Sequence, residues 1–173
     1  WPSAAARVTA LLAAVVERVG SLAPINPERA RALCVLDRDV LLLALRRLTF
    51  GDRVDTTVIC PRAECAKQVD LDFRLSGLLI PERAEELPRH VITAGPHTVS
   101  YRLPNGGDQE VASSRLGIDD EQTGLSGAEL TILRRCTDQI DGALDTTDRF
   151  GSLSPAHLVT LQEEMARRDP QLD

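Results

Sequence analysis

From Ala4 to Val19 the apolar residues Val8, Leu11, Leu12, Val15, Val16 and Val19 recur at three- and four-residue steps, which predicts an amphipathic helix stopped at Gly20. Asn26-Pro27 has the form of an N-cap followed by a first helical residue, so a short helix is expected from Pro27 to Leu33. Between Asp37 and Gly51 apolar residues cover most of the helix circumference, and only Arg38, Asp39, Arg46 and Arg47 obviously seek water. Asp37 is the expected cap, Gly51 the stop, and this helix the expected centre of the core.

After Gly51 the period changes to two. Val54, Thr56, Val58 and Cys60 share one face of a strand, and Val69, Leu71, Phe73 and Leu75 share one face of a returning strand. Asp55, Asp70, Asp72 and Arg74 then face solvent. Pro81 to Leu87 predicts a short acidic helix or turn, before a second hairpin of His90–Thr93 and His97–Leu103 around Ala94-Gly95-Pro96. Pro104-Asn105-Gly106-Gly107 breaks that strand, and Asp108 is the expected cap of a short helix through Arg115. Gly117 to Leu125 reads as a polar loop, and Ser126-Gly127-Ala128-Glu129 as a capping box opening a helix to about Ile140, with Leu130, Leu133, Cys136 and Ile140 as its stripe. Ser154-Pro155 starts a last helix with Leu158, Leu161 and Met165 on one side, ended by Asp169-Pro170.

These elements give an α+β fold, mainly helical with one or two antiparallel β-hairpins, the first carrying a two-cysteine knuckle. Residues 1–51 form N-terminal helices, 52–104 a hairpin region and 105–173 C-terminal helices, expected to fold together as one compact domain. No fixed-period repeat points to a solenoid.

Composition narrows the function classes. The 43% hydrophobic content is mostly Leu, Val and Ala, with 3% aromatic, so an aromatic-lined small-molecule pocket is not expected. A net charge of -6 has the wrong sign for a phosphate-binding surface, which disfavours nucleic acid. The apolar run Val40 to Leu45 is far shorter than the ~20 residues of a bilayer span, so no membrane insertion is expected. The chain opens on Trp1 with no secretory pattern, which reads as the interior start of a longer protein, and its few unevenly spaced cysteines suit a reducing, cytoplasmic setting.

Cys60 and Cys65 are the candidate metal ligands, because two thiolates presented from one turn supply half of a tetrahedral zinc site, as in half of a zinc ribbon. Cys34, Cys136, His90, His97 and His157 contain no second close pair to complete it. Cys136 lies on an apolar stripe and Cys34 precedes Val35-Leu36, so both read as small buried hydrophobes, while the three histidines read as surface or strand-edge residues. Asn105-Gly106-Gly107-Asp108 lacks the lysine of a phosphate loop and reads as a turn. Asp119-Asp120-Glu121 lacks calcium-loop spacing and reads as a solvated acidic loop, and Asp70, Asp72 and Arg74 read as an exposed charged ladder. No catalytic residues and no cofactor other than a candidate zinc emerge.

The order of these features is itself informative: a Trp-led amphipathic helix, Asp37-Arg38-Asp39 with a Leu-rich helix, Thr49-Phe50-Gly51-Asp52-Arg53-Val54, Cys60-Pro61 to Cys65, Val69-Asp70-Leu71-Asp72-Phe73, then Tyr101-Arg102-Leu103-Pro104 with Asn105-Gly106-Gly107-Asp108-Gln109-Glu110. Taken together they resemble the baseplate-hub assembly proteins of contractile phage tails and extracellular contractile injection systems, over nearly the whole chain. Members of that family commonly carry a Cys-Pro-x-Cys-Gly knuckle; here the Cys60 to Cys65 spacing is longer and no Gly follows. The resemblance implies a non-enzymatic structural or chaperone-like assembly protein whose partners are other baseplate or tail subunits, assembled in the cytosol. Strands Arg53–Ile59 or His97–Arg102 are then expected to be completed by a neighbour. Two other classes remain open from the residues: a zinc-ribbon-like adaptor for a regulatory protein or nucleic acid, and a thiol hydrolase or redox enzyme built on Cys60 or Cys65.

Overall fold

The structure, a computed structural model, describes residues 2–60, 62, 64–80, 88–117, 123–144 and 147–169. The expected acidic segment Pro81–Leu87 and the Asp119-Asp120-Glu121 loop lie outside the described residues. The α+β reading holds. The helices are α1 (Ala4–Val15), α2 (Pro27–Ala32), α3 (Val35–Phe50), α4 (Gly106–Ala112), α5 (Gly127–Cys136), α6 (Thr147–Gly151) and α7 (Pro155–Arg168). The strands are β1 (Arg53–Ile59), β2 (Gln68–Arg74), β3 (His90–Ala94), β4 (His97–Tyr101), β5 (Thr137–Ile140) and β6 (Ala143–Leu144).

Local chemistry sets most boundaries. The Asn26 side chain accepts from Arg29 N–H at 2.9 Å, with Pro27 opening α2. Ser126 and Glu129 cap α5 reciprocally, the carboxylate accepting from Ser126 N–H at 2.7 Å. Ser154 and His157 do the same for α7. Two expected caps differ. The third helix starts earlier, at Val35, with Cys34 in the cap position, and Asn105 rather than Asp108 caps α4; Asp108 is the third helical residue and completes a capping box. The helix expected to run to Ile140 ends at Cys136, because Thr137–Ile140 satisfies its backbone along β4 instead, with Val99 opposite Ile140 and Ser100 opposite Gln139.

That pairing builds a sheet of order β3-β4-β5-β6, all neighbours antiparallel. It corrects the expectation that His97–Arg102 is open for completion by another subunit, since β4 is paired on both sides. Val99, Tyr101 and Ile140 on this sheet pack with Leu133 and Cys136 of α5 and Leu158, Leu161 and Met165 of α7 in the main core. Leu12, Ile25 and Ala30 form a smaller N-terminal core, against which Leu41 and Leu42 of α3 are partly buried. The remaining strands, β1 and β2, form a separate two-stranded sheet whose principal contacts are internal.

Two corrections concern α3. It is not the central core helix: only Val35, Leu36 and Arg38 are buried, and Arg47 to Phe50 are exposed. Arg38, expected in water, is only 1% exposed, because the helix enters the body by its first turns and then runs out of it.

Candidate protein-protein interface

Two buried polar centres lock the body from which α3 emerges. The Arg38 guanidinium donates to the carbonyls of Ala30 at 2.8 Å and Ala5 at 2.9 Å, and to Thr9 Oγ1 at 3.2 Å. Thr9 in turn donates to Glu110 at 2.6 Å, and Arg31 donates to the other Glu110 oxygen at 2.9 Å. Arg38 thereby ties α1, α2 and α3 to α4. Burial lowers its pKa from the usual arginine value, partly countered by the nearby Glu110 charge. Gly106 is part of the same arrangement: a Cβ there would overlap Nη1 and Cζ of Arg38 and stand 2.9 Å from Nε. The glycine of the Asn105-Gly106-Gly107-Asp108 sequence is thus needed for the close approach of a buried arginine, and no phosphate cradle is required to explain it.

The second centre is Asp108, which is completely buried. It accepts from Arg102 at 2.6 and 3.0 Å, from Arg135 Nε at 2.9 Å and from Asn105 N–H at 3.0 Å. Burial alone would push its carboxyl up, but the Arg102, Asn105 and Arg135 hydrogen bonds hold it below the usual carboxylate range. The same hydrogen bond to Asp108 raises the Arg102 pKa. Cys136, with Sγ 3.6 Å from Asp108, is driven upward by burial and then by the Asp108 charge, so it stays a thiol. Cys136 is therefore the buried core residue its stripe predicted, without the activation a nucleophile needs.

Beyond these locks the chain leaves the body as an arm. The end of α3, Gly51 and the β1–β2 ribbon are joined by a clamp: the Asp52 carboxylate accepts from Ser76 N–H at 2.9 Å and Ser76 Oγ at 2.7 Å, and Leu75 N–H donates to Asp52 O at 2.8 Å. Arg46 donates to Gly51 O at 3.0 Å and lies over the Phe50 ring at 5.1 Å. The Ser76 hydrogen bond holds the Asp52 carboxyl below its usual range.

In the ribbon Val54 stands opposite Phe73, Thr56 opposite Leu71 and Val58 opposite Val69, as the alternation requires. The other face carries the charged ladder, with Arg53 bidentate to Asp72 at 2.9 and 2.8 Å and Thr57 donating to Asp70 at 2.7 Å. The apolar face is open as well: Val58 is 40% exposed, Val69 45%, Leu71 36% and Phe73 37%, and Leu48, Phe50 and Leu79, which flank the ribbon in sequence, are exposed too. Contiguous exposed apolar surface of this kind marks an interaction site.

The other candidate residues are dispersed. Cys60 is half-buried and Cys65 exposed at the ribbon tip, Cys34 packs half-buried against the main core, and Cys136 is buried. His90 is not at the surface: it is 3% exposed, its ring 5.5 Å from that of Tyr101. His97 lies 2.8 Å from Asp141, and its ring is 5.5 Å from that of His157. Among the described residues no group of three or more His, Cys, Asp or Glu is placed to hold a metal ion. A cavity of about 480 Å³ lies among Val35, Pro104, Ile132, Met165, Glu129 and Gln162, but Glu129 is engaged by Ser126 and by Gln162 at 2.8 Å. No helix among the described residues is long and apolar enough to cross a membrane.

Comparison with curated proteins and with solved structures gave no match. A family model did match, that of the T4 bacteriophage base plate protein, over residues 10–169. The matched region runs from within α1 to the end of α7 and includes Arg38, Asp108 and the whole arm, so the chain belongs to the T4 bacteriophage base plate protein family.

Proposed function

We propose that this protein is a non-enzymatic structural or assembly subunit of the baseplate of a contractile, phage-tail-like particle, and that the α3–β1–β2 arm is its docking element. The observation that carries the reading is the open apolar face of Val58, Val69, Leu71 and Phe73, with Val54 half-buried at its base, presented on a ribbon that the described residues leave uncovered there. An isolated two-stranded hairpin is marginal in water, and this one gains its missing layer when its apolar face seats on a neighbouring baseplate subunit. The free edges of β1 and β2 add backbone hydrogen-bonding capacity to the same contact. Family membership supports baseplate subunits as the neighbours. Assembly takes place in the cytosol, before the particle is complete.

The test is a paired charge substitution, Leu71→Asp with Phe73→Asp, in a system that assembles the particle. The expected result is a folded protein that no longer co-purifies with the baseplate subcomplex. Baseplates that form and retain the variant at wild-type levels refute the assignment of the arm. If the protein is present in subcomplexes but absent from finished particles, its role is that of an assembly chaperone; retention in finished particles makes it a component.

A further inference from the structure

We propose that the tip of the arm is one half of a zinc site completed by a second copy of this chain, so that Cys60 and Cys65 of two arms hold a single Zn²⁺ as a tetrathiolate. The inference goes beyond contact through the apolar face and rests on the arm being a projecting element.

Both thiols belong to one loop. The ribbon closes on a rung in which Cys60 N–H donates to Lys67 O at 2.9 Å. Within it, Cys65 N–H and Ala66 N–H both donate to Arg62 O, at 2.9 and 3.0 Å, winding the chain into a tight turn that returns Cys65 to within two residues of that rung. Immediately after Cys65 the backbone is left-handed, at Ala66, with φ 43°. A residue with a Cβ is disfavoured in that conformation by roughly 1–2 kcal/mol, so the turn adopts it against local preference. This turn gathers two soft donors at a solvent-reaching apex, the donor type zinc prefers.

Ligand number and charge then select the occupant. A closed structural zinc takes four ligands, and the tip supplies two. Among the described residues no His, Cys, Asp or Glu cluster of three includes these thiols, and the ribbon has few contacts with the body that could bring one. An identical tip related by a two-fold axis supplies an identical pair, which is the symmetry a homodimeric contact requires. On binding, the four thiols lose four protons, and Zn²⁺ with four thiolates carries two negative charges. Each tip carries Arg62 and Lys67 against Glu64, a surplus of one positive charge per copy, so two tips offset that charge. The strands leading to the tip are exposed apart from half-buried Val54, and Cys65 is exposed with them.

The experiment uses the purified, reduced full chain, stripped of metal and titrated with zinc chloride. Bound zinc is measured by elemental analysis and mass by light scattering on a sizing column. The expected result is one zinc for two chains, a monomer-to-dimer shift on zinc addition reversed by a chelator, and a tetrathiolate absorption spectrum when cobalt replaces zinc. Cys60→Ser and Cys65→Ser, each checked for native circular dichroism, should abolish both metal uptake and dimerisation, and Cys34→Ser should abolish neither. One zinc per monomeric chain, zinc uptake without a change in mass, or no uptake at micromolar zinc would each overturn the inference. The apolar-face reading is judged separately, by baseplate incorporation of the Leu71→Asp with Phe73→Asp variant.

Discussion

Replacing Gly106 with alanine tests the lock at the root of the arm. The added methyl group would overlap Nη1 and Cζ of Arg38 and stand 2.9 Å from Nε, so the guanidinium must leave its place. Leaving breaks hydrogen bonds to buried Ala30 O and Thr9 Oγ1 and to half-buried Ala5 O. Disrupting a buried charged network typically destabilises by about 3–5 kcal/mol. The gain in helix propensity from Gly to Ala offsets at most about 1 kcal/mol. The net loss is about 2–4 kcal/mol, which at a urea slope near 2 kcal/mol/M lowers the unfolding midpoint by roughly 1–2 M. Urea denaturation followed by circular dichroism reads it. Gly107→Ala is the matched control, because its nearest neighbour is the flexible, exposed stem of Arg31 at 3.0 Å, and it should change little. In an Arg38→Met background the Gly106→Ala penalty should largely disappear. A Gly106→Ala protein as stable as wild type, or a penalty undiminished in the Arg38→Met background, refutes the close-packed arginine.

Asp108→Asn should lower stability by about 3 kcal/mol by leaving Arg102 and Arg135 without their carboxylate, measured by the same urea titration. Because the Asp108 carboxyl is held below its ordinary value in the folded state, its contribution is full above the ordinary carboxylate pKa and is lost as pH falls through the lowered one. Wild type should therefore lose stability relative to Asp108→Asn on acidification below about pH 4, and parallel acid titrations of the two would contradict this. A thiol reagent should modify Cys65 rapidly in the native protein and Cys136 only on unfolding, because Cys136 is buried and kept protonated; mass mapping of labelled peptides reads the order. The Leu71→Asp with Phe73→Asp variant should stay within about 0.5 kcal/mol of wild-type stability, since neither side chain is in the body's cores, and a collapse of the unfolding midpoint would show that the ribbon packs on it.

The helices of the main core were legible from the sequence because α5 and α7 each present one narrow stripe and each begin at a recognisable start, the Ser126–Glu129 capping box and Ser154-Pro155, to which the structure adds a reciprocal cap by His157. The register of β1 and β2 was legible for a similar reason, since a one-residue slip would mix Leu71 and Phe73 with Asp70 and Asp72. What those patterns do not encode is which body an apolar face packs against. The Leu-rich stretch of α3 reads as core, because a surface meant for another subunit has the same composition as one meant for the chain's own interior. Arg38 misled in the opposite sense: a charged residue among leucines reads as a solvent marker, and its burial depends on carbonyls of Ala5 and Ala30 brought together only by the tertiary fold. One signal was present in Asn105-Gly106-Gly107-Asp108. Consecutive glycines at the start of a helix, where propensity disfavours them, point to a close approach by something bulky, here the guanidinium against Gly106.

Amide hydrogen exchange of the protein free and within assembled baseplates tests the arm assignment most directly. The free ribbon lacks a packed layer, so amides of β1 and β2 should exchange far faster than those of β4, α5 and α7, through local opening that leaves the body intact. On assembly, protection should rise by orders of magnitude from Arg53 to Arg74 and change little in the main core. Ribbon amides that exchange equally fast in the assembled baseplate would contradict the account.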